Sequence, residues 1–421
     1  MLLKDKNILL GVTSSIAIYK SLELIRLYVK AGANVKVIMT KASQKFITPL
    51  TFEAISQNRV LCEETENWEK NQDYNHIDMG KWADIFVLAP CTANTINKLS
   101  NGIADNLLTQ TALAYPRVKL LAPAANTNML KNPITHASLK MLKLCNFEII
   151  SSVVKELACK DVGDGAMAEP QEIFYATARE LLKEEYWSNR KVVLSGGGTI
   201  EKIDEVRYIS NFSSGKMASS LALALFLKGA DVCLVSTRGY ENLPKQIHTI
   251  GVKSSDEMYE YLVDAIRVAK KGKMSKTTLM DDSKPSLIQK KPYLFMVAAV
   301  SDYTPKFPQE GKLKKEVLGT NWKLDLAQNT DILSSLDKSG IYTIGFKAEL
   351  DDTVAFENAK SMIEKKGVDA VCLNLLENSN SFGSSTNSIE LILNESSYNF
   401  SGEKLDISLD ILQRLEKEFV L

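Results

Sequence analysis

The sequence predicts an α/β protein of two domains, each with a mainly parallel sheet and helices on both faces. Two observations predict it. Short apolar runs alternate with longer segments whose apolar residues recur at helical spacing, which is the pattern of β-α-β units. The same opening, an apolar run followed by a small polar turn and a helix, occurs at the N-terminus and again from Lys191. The length of 421 residues is enough for two or three domains.

The first half opens with an apolar run at residues 7–12, and the polar turn Thr13-Ser14-Ser15 follows it. Apolar residues at helical spacing then predict a helix that ends at Gly32. The next strand is predicted at residues 35–39. Further strands are predicted at residues 85–89, 120–122 and 147–150.

The second half begins with a strand at residues 191–194 and the glycine-rich turn at 195–199. A helix from Gly215 to Lys228 and a strand at 232–235 complete the repeat of the opening. Further strands are predicted at residues 294–299, 343–346 and 370–373, and an amphipathic helix at 407–415.

A polar helix at residues 172–185 separates the halves, so we expect domains at 1–188 and 189–421. The stretch 270–291 is rich in Lys, Ser and Thr and has no periodicity. It is predicted to be a mobile surface insertion.

The composition excludes several classes of protein. Apolar residues make up 45% of the chain and charged residues 24%, which is typical of a globular enzyme. Lys+Arg and Asp+Glu both number 51, so no overall basic field recruits nucleic acid or an anionic membrane. The six cysteines contain no C-x-x-C pair, and the longest apolar run, residues 293–300, is far below the ~20 residues of a membrane helix. We therefore expect a cytoplasmic protein with reduced thiols.

Small polar turns follow three strands of the first half, at residues 13–15, 90–95 and 123–129. The carboxyl ends of strands in open α/β sheets are where ligands bind. The turns carry no charge, which suits a flat, neutral ring system better than a sugar polyphosphate. Ordinary turns with Ser and Thr helix caps are the alternative interpretation.

Two further residues of the first half could carry chemistry. His76 is one of three histidines, and a lone histidine is more often structural than a catalytic base. Cys159 lies in the glycine-rich stretch 157–170, which is predicted to be a flexible loop that could deliver a thiol. Lys160 beside it would favour the thiolate. An inert cysteine remains the alternative.

The glycine-rich turns of the second half match no standard nucleotide motif. Residues 196–198 do not form G-x-G-x-x-G, and a P-loop ending at Gly215-Lys216 would need Gly at Ser210 and Ser or Thr at Met217. Acidic residues and lysines nevertheless stand near predicted strand ends at 298–303, 312–315, 329–332 and 345–349. This mixture suits Mg²⁺ and a triphosphate, although a solvated surface is the usual fate of a lysine run.

Together these motifs resemble the bifunctional phosphopantothenoylcysteine decarboxylase/phosphopantothenate–cysteine ligase family of bacterial coenzyme A synthesis. The resemblance covers nearly the whole chain. In the first half it rests on residues 11–20, 39–40, 48–52, 76, 90–95, 123–129 and 158–170. In the second half it rests on residues 197–199, 203–207, 211–217, 298–303, 329–332 and 345–349.

The resemblance implies two Rossmann-like domains, the first flavodoxin-like and binding FMN. It implies that a thiol is oxidised to a thioaldehyde, so that carbon dioxide can leave and the reduced flavin can return a hydride to the ene-thiol. His76 is assigned to oxidation and decarboxylation, Asn126 to holding the substrate carboxylate and Cys159 to donating the last proton. The implied cofactor-binding residues are Gly11, Thr13, Ser14, Ser15, Thr40, Thr92, Asn94 and Thr95.

For the second half the resemblance implies a ligase that activates 4′-phosphopantothenate with CTP and Mg²⁺ and then transfers the acyl group to cysteine. Asn211 would hold the acyl-cytidylate and Lys312 would act in the step with cysteine. No residue is assigned to the metal. The implied substrate-binding residues are Arg207, Ala298, Asp302, Thr330, Asp331, Ile332, Leu333, Phe346 and Lys366.

The sequence departs from the family pattern at several positions. Ser14 and Ser15 replace glycines, and Met362 replaces the first of two lysines four residues apart, so that Lys360 could supply that charge. Ala125, Leu130, Lys160 and Ala166 also differ from the usual residues. Trimers of the flavin half and dimers of the ligase half are implied, hence a dodecamer.

Two other functions stay open. One is a nicotinamide-dependent two-domain oxidoreductase, which would need the missing dinucleotide motif. The other is a non-catalytic flavoprotein regulatory subunit, against which Cys159 and the ligase motifs argue.

Overall fold

The computed structural model describes residues 1–69, 75–156, 162–275, 277–279, 284–314, 316, 319–375 and 383–419. The chain folds into two compact units, Met1–Leu182 with Ser275–Ser286, and Lys183–Met274 with Leu287–Leu421. Each unit is an α/β structure built on its own sheet, which confirms the predicted fold class. In the described part of the chain no helix is long and apolar enough to cross a membrane.

The first unit is built on a five-stranded sheet in the order β2-β1-β3-β4-β5, and all its pairings are parallel. This is the flavodoxin-like order, which reverses direction between β1 and β3. The strands are β1 (Asn7–Val12), β2 (Asn34–Met39), β3 (Ile85–Cys91), β4 (Lys119–Pro123) and β5 (Phe147–Ile149).

Helices cover both faces of this sheet. Leu9 points to the face opposite Ile8 and Leu10, and all three side chains are fully buried. The helices are α1 (Tyr19–Lys30), α2 (Pro49–Ser56), α3 (His76–Trp82), α4 (Ala93–Ser100), α5 (Leu107–Ala114), α6 (Thr127–Lys131), α7 (Pro133–Leu144) and α8 (Pro170–Leu182). A hairpin of β6 (Val153–Glu156) and β7 (Val162–Ala166) precedes α8.

The second unit contains an eight-stranded sheet in the order β12-β11-β8-β15-β18-β19-β20-β21. The first six strands pair in parallel, and β20 and β21 are antiparallel. The strands are β8 (Lys191–Gly196), β11 (Asp231–Ser236), β12 (His248–Gly251), β15 (Tyr293–Met296), β18 (Tyr342–Glu349), β19 (Ala370–Leu375), β20 (Thr386–Ile392) and β21 (Ser397–Glu403). The order reverses between β8 and β15.

Among its described residues the second unit also has shorter pairs of strands and the five helices named below. The pairs are β9 (Ile200–Lys202) with β10 (Tyr208–Ser210), β13 (Lys273–Met274) with β14 (Leu287–Ile288), and β16 (Tyr303–Pro305) with β17 (Leu326–Gln328). The helices are α9 (Lys216–Leu227), α10 (Ser255–Ala269), α11 (Ile332–Ser335), α12 (Asp352–Lys366) and α13 (Lys404–Phe419).

Two predicted elements differ in detail from the observed ones. Strand β15 ends at Met296 rather than at residue 299, because the N–H groups of Val297 and Ala298 both donate to Ser195 Oγ at 3.0 Å instead of to a strand. The base of the predicted insertion at 270–291 is not irregular, since β13 and β14 pair there through Lys273 and Ile288.

Candidate active sites

The ends of β1 and β3 are joined at the point where the strand order of the first unit reverses. Thr13 is buried, its hydroxyl donates to the carbonyl of Pro90 at 2.8 Å, and it accepts from the N–H of Thr92 at 3.0 Å. The Ala89–Pro90 peptide bond is cis. The hydroxyl of Thr13 therefore positions the two polar turns relative to each other.

Several predicted cofactor-binding residues begin helices at this edge. The Ser15 hydroxyl accepts from the N–H of Ala17 at 3.3 Å, and Thr92 Oγ1 accepts from the N–H of Thr95 at 3.4 Å. Thr40, just after β2, accepts from Ser43 in the same way. Ser14 is partly exposed and Asn94 is exposed. The edge thus offers neutral hydroxyl and amide groups, as the sequence predicted.

Gly11 has a packing role. A Cβ atom at this position would lie 3.0–3.1 Å from side-chain atoms of Phe86, Leu88 and Leu108 in the core. The absence of a side chain at Gly11 therefore allows these apolar side chains to pack against β1. The sequence motif alone did not show this packing role.

His76 begins α3, where Asn75 accepts from the N–H groups of Ile77 and Asp78. Its Nδ1 atom lies 2.8 Å from Glu66 Oε1, and its ring meets Trp68 edge-on, with ring centroids 5.3 Å apart. Because Glu66 engages Nδ1, the Nε2 atom is the one left for a reaction partner.

The chain from Leu61 to Glu66 runs toward the carboxyl ends of the strands of the first sheet. Leu61 forms a parallel bridge with Ile38 of β2, and Gln44 donates to Glu64 at 3.3 Å. Because the pairing is parallel, the chain after Leu61 continues toward the carboxyl ends of the strands, where the polar turns lie.

Asn126 lies in the turn after β4, and its side chain accepts from the N–H of Asn128 at 2.9 Å. The β6–β7 hairpin presses against this turn. A Cβ atom on Gly163 would lie 2.0 Å from Thr127 Oγ1, and one on Gly165 would lie 2.1 Å from the carbonyl oxygen of Ala125. These two glycines therefore serve close approach between the hairpin and the turn, which corrects their interpretation as a source of loop flexibility.

Cys159 lies outside the described residues, as does Lys160. The hairpin that contacts the Asn126 turn flanks them on both sides, with β6 ending at Glu156 and β7 beginning at Val162.

In the second unit one cavity of about 250 Å³ lies at the ends of β15 and β18, beside the reversal of strand order. It is lined by eight of the residues that the sequence resemblance assigned to substrate binding. They are Ala298, Asp302, Thr330, Asp331, Ile332, Leu333, Phe346 and Lys366.

The charges of this cavity are fixed by local contacts. Lys366 Nζ lies 3.0 Å from Asp331 Oδ2, and Asp331 also accepts from the N–H and hydroxyl of Ser334. Burial opposes ionisation, but these hydrogen bonds and the ion pair prevail and hold the pKa of Asp331 below its usual value. The cavity therefore presents an ionised carboxylate and a lysine at neutral pH.

A second cavity, of about 180 Å³, shares Ala298 and Phe346 with the first. Lys216, Lys347 and Lys404 line it, and no carboxylate belongs to its lining among the residues that the structure describes. Burial and the nearby Lys216 lower the pKa of Lys404. Lys347 is paired with Glu349 at 3.1 Å, so Lys216 and Lys404 carry the positive charge that suits an anionic group.

Comparison with known proteins agrees with these two units. The protein family described as "Flavoprotein" matches residues 2–182. The family described as "DNA/pantothenate metabolism flavoprotein C-terminal domain" matches residues 187–272 and 270–419. The coenzyme A biosynthesis bifunctional protein CoaBC of Haemophilus influenzae is 33% identical over 100% of this chain and 99% of its own length. The protein of the same name from Bacillus subtilis is 34% identical over 98% of this chain and 97% of its own length.

The chain belongs to the family of coenzyme A biosynthesis bifunctional proteins. It combines phosphopantothenoylcysteine decarboxylase and phosphopantothenate–cysteine ligase activities, which confirms the function predicted from the sequence. Neither a regulatory subunit nor a nicotinamide oxidoreductase is favoured. A further relative, named cysteine/cysteine sulfinic acid decarboxylase and of unknown prokaryotic origin, is 33% identical over 88% of this chain and 98% of its own length.

The remaining predicted ligase residues lie outside both cavity linings. The side chain of Asn211 donates to the carbonyl of Val300 at 2.9 Å. A Cβ atom on Gly198 would lie 2.8 Å from the carbonyl oxygen of Asn211. Arg207 binds Asp204 and stands over the ring of Trp322 at 5.3 Å. Lys312 is exposed.

Met362 lines the first cavity, whereas Lys360 is exposed and absent from its lining. At the position where the family pattern has a lysine, this chain therefore presents the apolar side chain of Met362 to the cavity. No charge from Lys360 enters the lining.

The sequence assigned no site role to several contributing residues, although Thr199 and Asn329 lie in segments that carry the resemblance. Ser195 and Thr199 are buried and hold the backbone after β15, Thr199 by accepting from the N–H of Ser301 at 2.9 Å. Asn329 donates to the carbonyl of Ser301 at 2.8 Å. Glu66 stands ten residues before His76 in an irregular stretch. Such pairings join distant parts of the chain, so no local pattern signals them.

Proposed function

We propose that residues 1–188 carry the decarboxylase and bind FMN, and that residues 189–421 carry the ligase and use CTP with Mg²⁺. The observation that carries the ligase assignment is the cavity at the ends of β15 and β18, which collects eight predicted substrate-binding residues. A set scattered over the surface would have argued against a shared ligand.

The polar edge of the first unit fits a flavin. Its turns at the ends of β1, β3 and β4 are neutral, and Thr127 Oγ1 beside Asn126 is buried without a hydrogen-bond partner among the described residues. A buried hydroxyl without a partner is costly and suits a ligand that supplies one. We propose that the residues around these turns hold the cofactor, namely Gly11, Thr13, Ser14, Ser15, Thr40, Thr92, Asn94 and Thr95.

In this proposal the flavin supplies the redox chemistry that makes carbon dioxide loss possible. His76, held by Glu66 through Nδ1, presents Nε2 to the substrate as a proton carrier. Asn126 binds the substrate carboxylate, its turn being braced by the β6–β7 hairpin. Cys159 gives the final proton to the carbon skeleton.

The ligase must turn a carboxylate into an amide, and hydroxide is a poor leaving group. Transfer of the cytidylyl group from CTP to the carboxylate releases pyrophosphate and makes the carbonyl reactive. The cysteine amine then displaces CMP. We propose that the first cavity binds CTP through Ala298, Asp302, residues 330–333, Phe346 and Lys366, with Asn211 holding the acyl-cytidylate and Arg207 in substrate binding.

The triphosphate itself supplies most ligands of Mg²⁺ in this proposal. No group of three or more His, Cys, Asp or Glu side chains that could hold a metal occurs among the described residues. Magnesium is commonly bound by substrate phosphates with one or two carboxylates, and Asp302 and Asp331 line the cavity.

One experiment tests the whole proposal. The purified protein, incubated with 4′-phosphopantothenate, CTP, Mg²⁺ and cysteine, should form 4′-phosphopantetheine by mass spectrometry and contain one FMN per chain. Native mass spectrometry of the same sample tests the proposed dodecamer. Colourless protein that FMN cannot reconstitute would contradict the flavin assignment.

A second candidate, decarboxylation of free cysteine, is favoured by the relative that carries that name. Parallel incubation with cysteine alone distinguishes the two. Carbon dioxide release at a comparable rate without 4′-phosphopantothenate and CTP would favour the second candidate.

Replacing Lys366 with glutamine should raise the KM for CTP. Hydrogen bonds to charged groups contribute about 1.5–3 kcal/mol, so we expect a rise of roughly 10- to 100-fold. Lys360→Gln, on the same helix but outside the cavity lining, is the matched control and should leave the KM unchanged. Equal KM values in both variants would remove Lys366 from the CTP site.

A further inference from the structure

A buried carboxylate joins two distant segments of the second unit. Asp204 is 2% exposed and accepts from the N–H groups of Val206 and Arg207 at 2.8 and 2.7 Å, and from the Arg207 guanidinium at 2.5 and 3.0 Å. It also accepts from the N–H of Leu313 at 3.1 Å, more than a hundred residues away in sequence. Buried charges require such saturation by donors.

Three other hydrogen bonds strengthen this connection. Arg207 Nη2 donates to the carbonyl of Leu313 at 2.8 Å. The N–H of Glu205 donates to the carbonyl of Gly311 at 3.1 Å, and the N–H of Gln309 donates to the carbonyl of Ile203 at 2.9 Å. Both neighbours of Lys312 in the chain are therefore bound to the turn that contains Asp204.

We propose that Asp204 is a positioning residue for Lys312, holding the segment 311–313 so that the lysine side chain starts from a defined place. The inference rests on the proposed function of Lys312 in the transfer to cysteine. Catalytic groups act efficiently only when held close to their productive geometry, and a displacement of 1 Å can cost about 100-fold in rate.

The charge of the carboxylate is secured by the same contacts. The Arg207 guanidinium and the surrounding N–H groups hold the pKa of Asp204 well below its usual range, although burial opposes this. Asp204 therefore stays ionised at neutral pH and can accept all of these hydrogen bonds at once.

The test is Asp204→Asn, which keeps the shape of the side chain but turns an NH₂ group toward donors. The amide of Leu313 should exchange with deuterium faster in the variant. Asp204 also binds the Arg207 guanidinium, which we place in substrate binding, so both ligase steps are compared at saturating 4′-phosphopantothenate and CTP with Mg²⁺. Under these conditions pyrophosphate release should persist within a few-fold. Amide formation with cysteine should fall by roughly 10- to 100-fold, with the acyl-cytidylate accumulating.

Glu205→Gln is the matched control, because the Glu205 side chain pairs with Lys202 on the surface and its backbone contact to Gly311 is retained. It should behave like the unmodified protein. A second variant, Gly311→Ala, leaves Asp204 intact. Gly311 has φ +73° and open space around it, so alanine strains only this segment. It should slow amide formation selectively in a chain whose core is unchanged.

The outcomes separate the inference from the function on which it rests. Unchanged exchange at Leu313 in Asp204→Asn, or an equal loss of both ligase steps at saturating substrate concentrations, would overturn the positioning role. Normal transfer by Asp204→Asn together with slow transfer by Lys312→Gln would overturn it as well. Normal transfer by Lys312→Gln itself would instead refute the function of Lys312.

Discussion

Replacing Lys312 with glutamine should leave CTP-dependent release of pyrophosphate intact and slow amide formation by roughly 100- to 1000-fold. That loss is typical of removing one preorganised group that stabilises developing charge. In the proposed mechanism activation survives, because Mg²⁺, Asp302 and Lys366 would still hold the triphosphate. Quenched single-turnover reactions should show phosphopantothenoyl-cytidylate accumulating with little amide.

The alternative for Lys312 is a solvated surface charge, and the structure gives it an exposed position outside both cavity linings. An isolated surface charge contributes only about 0–1 kcal/mol. Lys314→Gln, an exposed lysine of the same run, is the control and should transfer the acyl group normally. If Lys312→Gln matched this control, the second ligase step would need another residue.

Replacing Cys159 with serine should stop the decarboxylase after carbon dioxide has left. A positioned general acid contributes about 100- to 10,000-fold, and a serine hydroxyl is far less acidic than a thiol. We therefore expect carbon dioxide release in the first turnover, an ene-thiol product two hydrogens lighter than 4′-phosphopantetheine, and a loss of roughly 100-fold or more in 4′-phosphopantetheine formation.

Cys145→Ser provides the control for this variant, since Cys145 is a partly buried free thiol of the first unit. Its 4′-phosphopantetheine formation should match that of the unmodified protein. Full 4′-phosphopantetheine formation by Cys159→Ser would make Cys159 a structural residue and leave the final proton without a donor.

Much of the fold follows from local patterns. The apolar runs at Asn7–Val12 and Lys191–Gly196 form central strands, and the helical spacing after each run corresponds to α1 and α9. Strands β20 and β21 were not predicted; β21 is the edge strand of the sheet, and β20 lies between β19 and β21. Strand β21 has mostly exposed or half-buried residues and lacks a continuous apolar run. Edge strands carry a weaker signal because only part of their surface is buried.

Some features of the candidate sites could likewise be predicted from the sequence, and others could not. The sequence alone determined the α/β class, the polar turns at strand ends and the family resemblance, because these depend on residue types and short spacings. Only the tertiary structure decided that eight predicted residues share one cavity, that Glu66 holds His76, and that Asp204 reaches Leu313. It also decided that Gly11, Gly163 and Gly165 serve close packing. The physical reason is that hydrogen bonds and close contacts join atoms by distance in space, and the strand order that sets those distances is a property of the whole sheet.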